Sequence, residues 1–291
     1  MGRIMTRSTA TAIGFVAVLL WALLAVLTVG TSPVPPLQLN AICFSIGGAL
    51  GLGWCYWTGT LSELRRQPIR IYAFGTAGLF GYHFLYFTAL RMAPAAEASL
   101  IAYLWPLLIV LFSGLLPGER LRALHIVGAI IGFAGAAVIV GGGGVGFQAA
   151  SLPGYGIALL CAVTWATYSV VSRSFGAVPT SSVTVFCLAT AALSLPAHLI
   201  WETTVWPASA TGWFCILGLG LGPVGLAFYV WDMGVKRGDI QLLGVSSYAA
   251  PLLSTGAMIA AGYADMSMTL VIAAGLITAG AALAVTASAR K

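Results

Sequence analysis

The chain has 291 residues, of which 60% are hydrophobic and only 7% are charged, and its mean hydropathy is +1.00. A water-soluble domain would carry about 25% charged residues, so a soluble enzyme, a nucleic-acid-binding protein and a secreted disulfide scaffold are all excluded. Apolar runs of about 20 residues, each long enough to cross a bilayer as a helix, recur along the whole chain. The sequence therefore predicts an all-α integral membrane protein.

Ten membrane-spanning helices are predicted from the apolar windows and from the polar breaks between them. The predicted spans are residues 12–30, 37–57, 69–91, 95–116, 121–140, 153–173, 180–200, 211–235, 240–261 and 268–288. The first of them could instead be a signal peptide, because Arg3 and Arg7 precede it. No convincing small-residue cleavage site follows, so we interpret it as a helix.

The distribution of the basic residues predicts which side of the membrane each loop faces. With the N-terminus in the cytoplasm, 12 of the 13 Lys and Arg residues lie on the cytoplasmic side and only Arg91 lies outside. This asymmetry is typical of a bacterial inner-membrane protein with an even number of spans. We therefore expect both termini in the cytoplasm. The net charge of +6 then reflects topology, and the expected partners are membrane lipids and a small-molecule substrate, with no nucleic acid.

An internal repeat relates the two halves of the sequence. The pairs that match at an offset of 145 include Arg91 and Lys236, Tyr103 and Tyr248, Pro106 and Pro251, and Leu107 and Leu252. Each half holds five predicted helices, an odd number, so the second half must enter the membrane from the opposite side. The sequence predicts two inverted five-helix repeats, residues 1–144 and 145–291, with a substrate site near the midplane between them. The glycine run 141–144 is predicted to be a flexible link.

These features resemble those of a known family of transporters. The five-plus-five arrangement, a Trp in the first helix of each half and a Tyr-x-x-Pro-Leu in each fourth helix resemble the drug/metabolite transporter superfamily and its EamA-type repeat. Within that superfamily, the sequence is similar to the YddG-type aromatic amino acid exporters of bacterial inner membranes. The resemblance implies a transporter that works by alternating access, and we expect it to be a monomer.

His83 is the most specific candidate for a substrate contact. It lies in the third span, inside the sequence Tyr82-His83-Phe84-Leu85-Tyr86, and ionisable groups within a span are rare unless a function requires them. Its imidazole could hydrogen-bond the substrate or titrate near neutral pH. Alternatively, His83 is a structural histidine that is satisfied by a neighbouring hydroxyl.

Aromatic and hydroxyl side chains at helical spacing complete the predicted cavity. Packing, or a place in the interfacial aromatic belt, would explain any single ring. A set that converges from the first, third, fourth, sixth and ninth spans is better explained as the lining of a cavity. Pro106 and Pro251 lack an N–H group, so each leaves a backbone carbonyl free to face that cavity. The predicted substrate-binding residues are Trp21, Tyr82, His83, Tyr86, Ser99, Tyr103, Trp165, Tyr168, Ser247 and Tyr248.

The predicted cavity is rich in rings and nearly free of formal charge. A multidrug cation exporter would be expected to carry a carboxylate at the midplane of the first helix, where this chain has Val18-Leu19-Leu20-Trp21. An exporter of anionic sugars would present Lys or Arg there. Rings of a substrate could stack on Trp and Tyr, and its ammonium group could sit on an aromatic face. The sequence predicts export of aromatic and other apolar amino acids; the alternative is broad export of apolar metabolites or lipophilic cations.

The acidic residues are expected mostly at the periphery. Asp232 precedes Lys236 by four residues, so an ion pair at the cytoplasmic end of the eighth span is favoured. Glu97 opens the fourth span near Arg91, where a carboxylate suits a helix N-terminus. With no acid expected in the cavity, we predict facilitated or weakly proton-coupled export.

A catalytic, metal-binding or sensory role is disfavoured. The histidines lie on separate predicted helices without a common motif, whereas an enzyme would need clustered nucleophiles, acids or metal ligands. The five cysteines lie within spans and include no Cys-x-x-Cys pair, so neither a metal nor a cofactor is expected. A non-transporting sensor would not explain the inverted duplication.

Overall fold

A computed structural model describes residues 5–141, 148–262 and 265–289. Every regular element within those ranges is helical, and no strand occurs in them. The α-helices are α1 (Arg7–Ala22), α2 (Leu24–Gly30), α3 (Pro36–Trp57), α4 (Ile69–Met92), α5 (Ala95–Ala102), α6 (Trp105–Ser113), α7 (Ala123–Val140), α8 (Leu152–Ser174), α9 (Val183–Trp201), α10 (Ala210–Leu221), α11 (Ala227–Arg237), α12 (Ile240–Ser246), α13 (Ala249–Ala260) and α14 (Met268–Ala289).

Nine helical segments in the described ranges are long and apolar enough to cross a membrane. Helix α4 is not among them, although it is continuous over 24 residues. Its sequence contains Tyr82, His83 and Tyr86 together with two arginines, which lower its hydropathy. The most polar of the predicted spans is therefore the one that carries His83. The predicted flexible link lies almost entirely outside the described residues, as do Arg3 and the last two residues.

Several predicted spans are interrupted instead of being straight helices. The fourth span divides into α5 and α6 at Tyr103, and the ninth divides into α12 and α13 at Ser247 and Tyr248. Each helix restarts shortly before a proline, Pro106 or Pro251, because proline lacks an amide hydrogen but is tolerated in a first turn. The eighth span contains a π-helical turn between α10 and α11. The two halves thus break their fourth helices at equivalent places, whereas the π-helical turn has no counterpart in the continuous α4.

The main helix pairings all join one half of the chain to the other. Helix α7 packs along α14, α3 along α9, α4 along α8, and α1 along α11. A shift of 145 residues carries α7 onto α14 and α3 onto α9, and it exchanges the α4–α8 pair with the α11–α1 pair. This is the pattern that a two-fold relation produces, because each contact surface then occurs in both partners.

Glycines allow the backbones of paired helices to approach closely. A Cβ atom on Gly280 would lie 2.5 Å from the carbonyl oxygen of Gly128, and one on Gly14 would lie 2.8 Å from the Cα of Gly234. Helices in a bilayer gain little from the hydrophobic effect when they associate, so close packing of small residues stabilises the pair. Glycine is therefore needed where α7 meets α14 and where α1 meets α11.

The two ends of the bundle are packed differently. Helix α12 packs against α6, and α11 packs against α8. The shift of 145 residues converts these pairs into α5 with α13 and α4 with α1, and neither pair forms a comparable contact among the described residues. The bundle is therefore closed where α6, α8, α11 and α12 meet, and it is open where α5 faces α13.

Candidate functional site

Aromatic side chains from both halves meet at the centre of the bundle. The ring centroid of Trp21 is 6.1 Å from that of Trp105, 5.9 Å from that of Trp165 and 5.1 Å from that of Trp231. Phe228 adds a fifth ring, 6.3 Å from Trp21. We call these five residues the aromatic cluster. All of them except Trp21 are buried. Their rings pack mainly edge to face and form a compact apolar surface.

A polar wall on α4 adjoins the aromatic cluster. Tyr82, His83 and Tyr86 are half-buried on this helix. The hydroxyl group of Tyr86 forms a hydrogen bond of 3.0 Å with that of Ser99 on α5. The ring of Tyr82 stacks on Tyr86 at 6.2 Å and lies 5.3 Å from Trp165. Hydrogen-bonding groups and large rings therefore meet at one place, where the two halves face each other.

The backbone orients the imidazole of His83. Its Nδ1 atom lies 2.8 Å from the carbonyl oxygen of Leu79, one helical turn earlier. In the neutral imidazole Nδ1 carries the hydrogen that makes this bond, so Nε2 keeps a lone pair and is an acceptor. The rings of Phe44 and Phe228 flank it, with centroids 5.1 Å and 6.0 Å away. An acceptor among apolar rings suits the ammonium group of a substrate.

A pocket of about 290 Å³ is lined by residues of α2, α7 and α13 and by Tyr103, which directly follows α5. Of the predicted site residues, it contains only Tyr103. Ser254 and Thr255 also line it and were missed in the sequence. They follow Pro251 by three and four residues, so their shared helical face was the signal that could have identified them. The full lining is Ala25, Tyr103, Ile139, Pro251, Ser254, Thr255 and Met258.

Four of the predicted site residues are buried in packing contacts. They are Trp165, Tyr168, Ser247 and Tyr248. The hydroxyl group of Tyr248 accepts a hydrogen bond of 3.1 Å from the backbone N–H of Leu107, in the first turn of α6. Ser247 donates to the carbonyl oxygen of Leu243 at 2.7 Å. In this structure Tyr248 therefore bonds across to α6, Ser247 bonds back to its own helix, and neither lines the pocket.

Ion pairs lie away from the centre of the bundle. Lys236 Nζ is 2.8 Å from Asp232 Oδ1, which confirms the predicted pair. Arg91 is bound by Glu202, with 2.7 Å between Nη2 and Oε1. Glu97 is buried in the first turn of α5. The described residues contain no group of three or more His, Cys, Asp or Glu that could hold a metal ion.

Comparisons with known proteins identify the family. Both halves match the EamA-like transporter family, over residues 9–141 and 152–286. The chain is 55% identical over 282 residues to the aromatic amino acid exporter YddG of Ancylobacter novellus, a match that covers 96% of this chain and 98% of that protein. It is 31% identical to the aromatic amino acid exporter YddG of Salmonella typhimurium, over 86% and 88% of the two chains.

A solved crystal structure has the same fold. It matches this chain with a TM-score of 0.94 at 54% sequence identity, and the match covers 98% of this chain and 99% of the other. The resemblance detected in the sequence is thus confirmed, and the all-helical architecture agrees with it. The chain belongs to the EamA-like transporter family and is a membrane transporter rather than an enzyme.

Proposed function

We propose that this protein exports aromatic and other apolar amino acids across the bacterial inner membrane by alternating access. Two relatives named as aromatic amino acid exporters support the substrate class. The observation that carries the proposal is the contact between the polar wall of α4 and the aromatic cluster, with Tyr82 and Trp165 at 5.3 Å. A zwitterion with a flat apolar side chain needs both surfaces at once.

Equivalent positions in the two halves carry side chains of different chemistry. His83 and Phe228 are 145 residues apart, as are Tyr86 and Trp231. The first half thus offers hydrogen-bonding groups where the second offers apolar rings. In the proposed complex, His83 Nε2 accepts a hydrogen bond from the substrate ammonium, and hydroxyl groups such as that of Tyr86 donate to its carboxylate. The substrate ring stacks on Trp21, the half-buried member of the aromatic cluster.

The proposed transport path lies between two inverted repeats, residues 1–144 and 145–291. We count α4 as the tenth span, in addition to the nine more apolar segments. Its 24 residues extend about 36 Å, which exceeds the roughly 30 Å thickness of the hydrocarbon core. With both termini in the cytoplasm, the closed end formed by α6, α8, α11 and α12 faces the cytoplasm. The open end, where Tyr103 and α13 line the pocket, then faces outwards, and this state is outward-open. The path lies within one chain, so a monomer suffices.

Alternating access would exchange the roles of Tyr103 and Tyr248. In this structure Tyr248 bonds to the backbone of α6, whereas Tyr103 lines the pocket. Because the two residues occupy equivalent positions in the repeats, we expect Tyr103 to bond near the start of α13 in the opposite state. Tyr248 and Ser247 would then face an inward-open pocket. This exchange reconciles their burial here with a role in binding substrate.

A competition assay in proteoliposomes tests the proposed substrate class. Uptake of labelled phenylalanine is measured against an excess of each of the twenty amino acids. We expect tryptophan, tyrosine and phenylalanine to compete best and aspartate not to compete. Equal counterflow of aspartate and phenylalanine would contradict the proposal, and strong competition by a viologen would favour the broad-specificity alternative. We expect no accumulation of phenylalanine when a pH gradient is imposed.

A further inference from the structure

Four charged side chains form a network at the end of the bundle where α6, α8, α11 and α12 meet. Arg7 Nη2 lies 3.2 Å from Glu119 Oε2 and 3.4 Å from Asp239 Oδ2. Arg173 forms an ion pair with Glu119 and donates to the carbonyl oxygen of Gly238 at 2.9 Å. We call Arg7, Glu119, Arg173 and Asp239 the ionic lock.

The ionic lock joins two groups of helices that would have to separate for inward opening. Helices α4, α6 and α8 pack together as one group, and α1, α11 and α13 form its equivalent in the repeat. Glu119 follows α6 and Arg173 lies near the end of α8, so both belong to the first group. Arg7 begins α1 and Asp239 follows α11. The Arg7–Glu119 pair, and the bond from Arg173 to Gly238 beyond α11, therefore cross between the groups.

Most of the ionic lock is shielded from water. The side chains of Glu119, Asp239 and Arg173 are 6%, 10% and 16% exposed, whereas that of Arg7 is 45% exposed. Exposed ion pairs contribute little because water and salt screen them. Shielded pairs interact more strongly, and removing one partner leaves the other charge buried without it. The network can therefore bias an equilibrium between two conformations.

At the opposite end of the bundle, the ion pair between Arg91 and Glu202 joins α4 to the end of α9 and does not cross between the two groups of helices. At an offset of 145, Glu119 and Asp239 correspond to Ala264 and Pro94; at the offset of 144 that relates Trp21 to Trp165, Arg7 and Arg173 correspond to Ser151 and Val29. None of these carries a charge. Two equivalent halves by themselves would give inward-open and outward-open states of similar energy. An ionic lock that joins the two groups at one end therefore favours the state that is closed at that end.

We propose that the ionic lock is the cytoplasmic gate of the transport cycle, with Glu119 as its central residue. This inference rests on the proposed alternating-access function and on the cytoplasmic location of the N-terminus. Substrate can enter from the cytoplasm only when the contacts that cross between the two groups, from Arg7 to Glu119 and from Arg173 to Gly238, separate. The lock keeps the resting protein outward-open, and its loss shifts the population towards the inward-open state.

A cysteine at position 110 would report the opening of this gate. Val110 is fully buried, and its Cγ2 atom lies 3.0 Å from where a Cβ atom of Gly244 would be, at the contact between α6 and α12. Val110→Cys is labelled with a membrane-impermeant maleimide in inside-out vesicles. Labelling of the parent protein, which keeps Val110 and its native cysteines, is subtracted.

Glu119→Gln is expected to raise the labelling rate at position 110 by at least about five-fold, as for a modest allosteric coupling. Arg7→Gln is measured in parallel and is expected to cause a smaller rise, because Arg7 is half-exposed and its loss leaves the bonds from Arg173 to the carbonyl oxygens of Val235 and Gly238 in place. Glu202→Gln is the matched control. It removes a carboxylate that is 4% exposed at the other end of the bundle, so the rate should not change.

An unchanged labelling rate in folded Glu119→Gln protein would overturn the proposal. If that variant does not fold, Arg7→Gln decides the question by the same criterion. The labelling needs no substrate, so the two proposals can fail separately. Normal phenylalanine transport with unchanged labelling would refute the lock alone. Faster labelling together with no amino acid flux in the unmodified protein would refute the export function alone.

Discussion

Trp21 and Trp165 lie in contact at the centre of the bundle, with ring centroids 5.9 Å apart and ring planes at 75°, although 144 positions separate them in the sequence. They occupy matching places in the two EamA-like repeats. His83 and Phe228, also a matching pair, have centroids 6.0 Å apart. Matching residues touch only near the axis that relates two halves. The proposed binding surfaces therefore meet beside that axis, where both halves can act on one substrate.

Replacing His83 with Phe tests the proposed ammonium contact. The substitution copies Phe228, keeps a ring in place and removes the Nε2 acceptor. Hydrogen bonds to charged groups contribute about 1.5–3 kcal/mol, so the KM for phenylalanine transport should rise at least about tenfold. Thr88→Val is the control, because the Thr88 hydroxyl donates to the Phe84 carbonyl within α4. An unchanged KM would assign His83 a purely structural role.

Tyr248→Phe and Tyr103→Phe should affect different properties. Loss of the Tyr248 hydroxyl removes the oxygen that accepts the hydrogen bond from the backbone N–H of Leu107. This should lower the free energy of unfolding by about 1–3 kcal/mol. The midpoint of thermal unfolding in detergent should fall. Tyr103 lines the pocket, so its substitution should slow transport and leave that midpoint unchanged. Equal unfolding midpoints for the two variants would contradict the assignment.

Gly280→Ala should destabilise the protein, whereas Gly275→Ala on the same helix should not. A Cβ atom at Gly280 would lie 2.5 Å from a backbone oxygen of α7, while nothing lies within 4 Å of one at Gly275. At Gly280, overpacking should cost about 1–3 kcal/mol of stability. At Gly275, alanine meets no neighbouring atom and has a higher helix propensity than glycine, so stability should not fall. Thermal unfolding of the two variants in the same detergent measures the difference. Similar stability for both would mean that α7 and α14 need no glycine contact.

Glu202→Ala should weaken the start of α3. The Glu202 carboxylate accepts hydrogen bonds from the backbone N–H groups of Leu37 and Gln38, at 3.0 Å and 3.1 Å, and it pairs with Arg91. Loss of a capping side chain costs about 0.5–2 kcal/mol. We expect a lower unfolding midpoint, with Arg91→Gln showing a smaller effect because its side chain is half-exposed. A larger effect of Arg91→Gln would indicate that the ion pair matters more than the cap.

Several features of the protein could be predicted because they depend on local sequence. Apolar runs longer than the bilayer is thick determine the membrane class without reference to packing. The Asp232–Lys236 pair follows from helical spacing alone. The repeat was visible because Tyr103 and Tyr248 stand in the same local motif. The family followed from these features.

The sequence by itself determined the helices, their repeat and the chemistry available to the site, since hydropathy and helical periodicity are properties of neighbouring residues. Only the tertiary structure decided that Tyr103 lines a pocket while Tyr248 is buried. The local motifs of the two tyrosines are alike, and the difference arises because α12 packs against α6 whereas α5 makes no comparable contact with α13 among the described residues. The tertiary structure also decided the partners of Glu119, because Arg7 is 112 positions away in the sequence and comes near only when the helices pack.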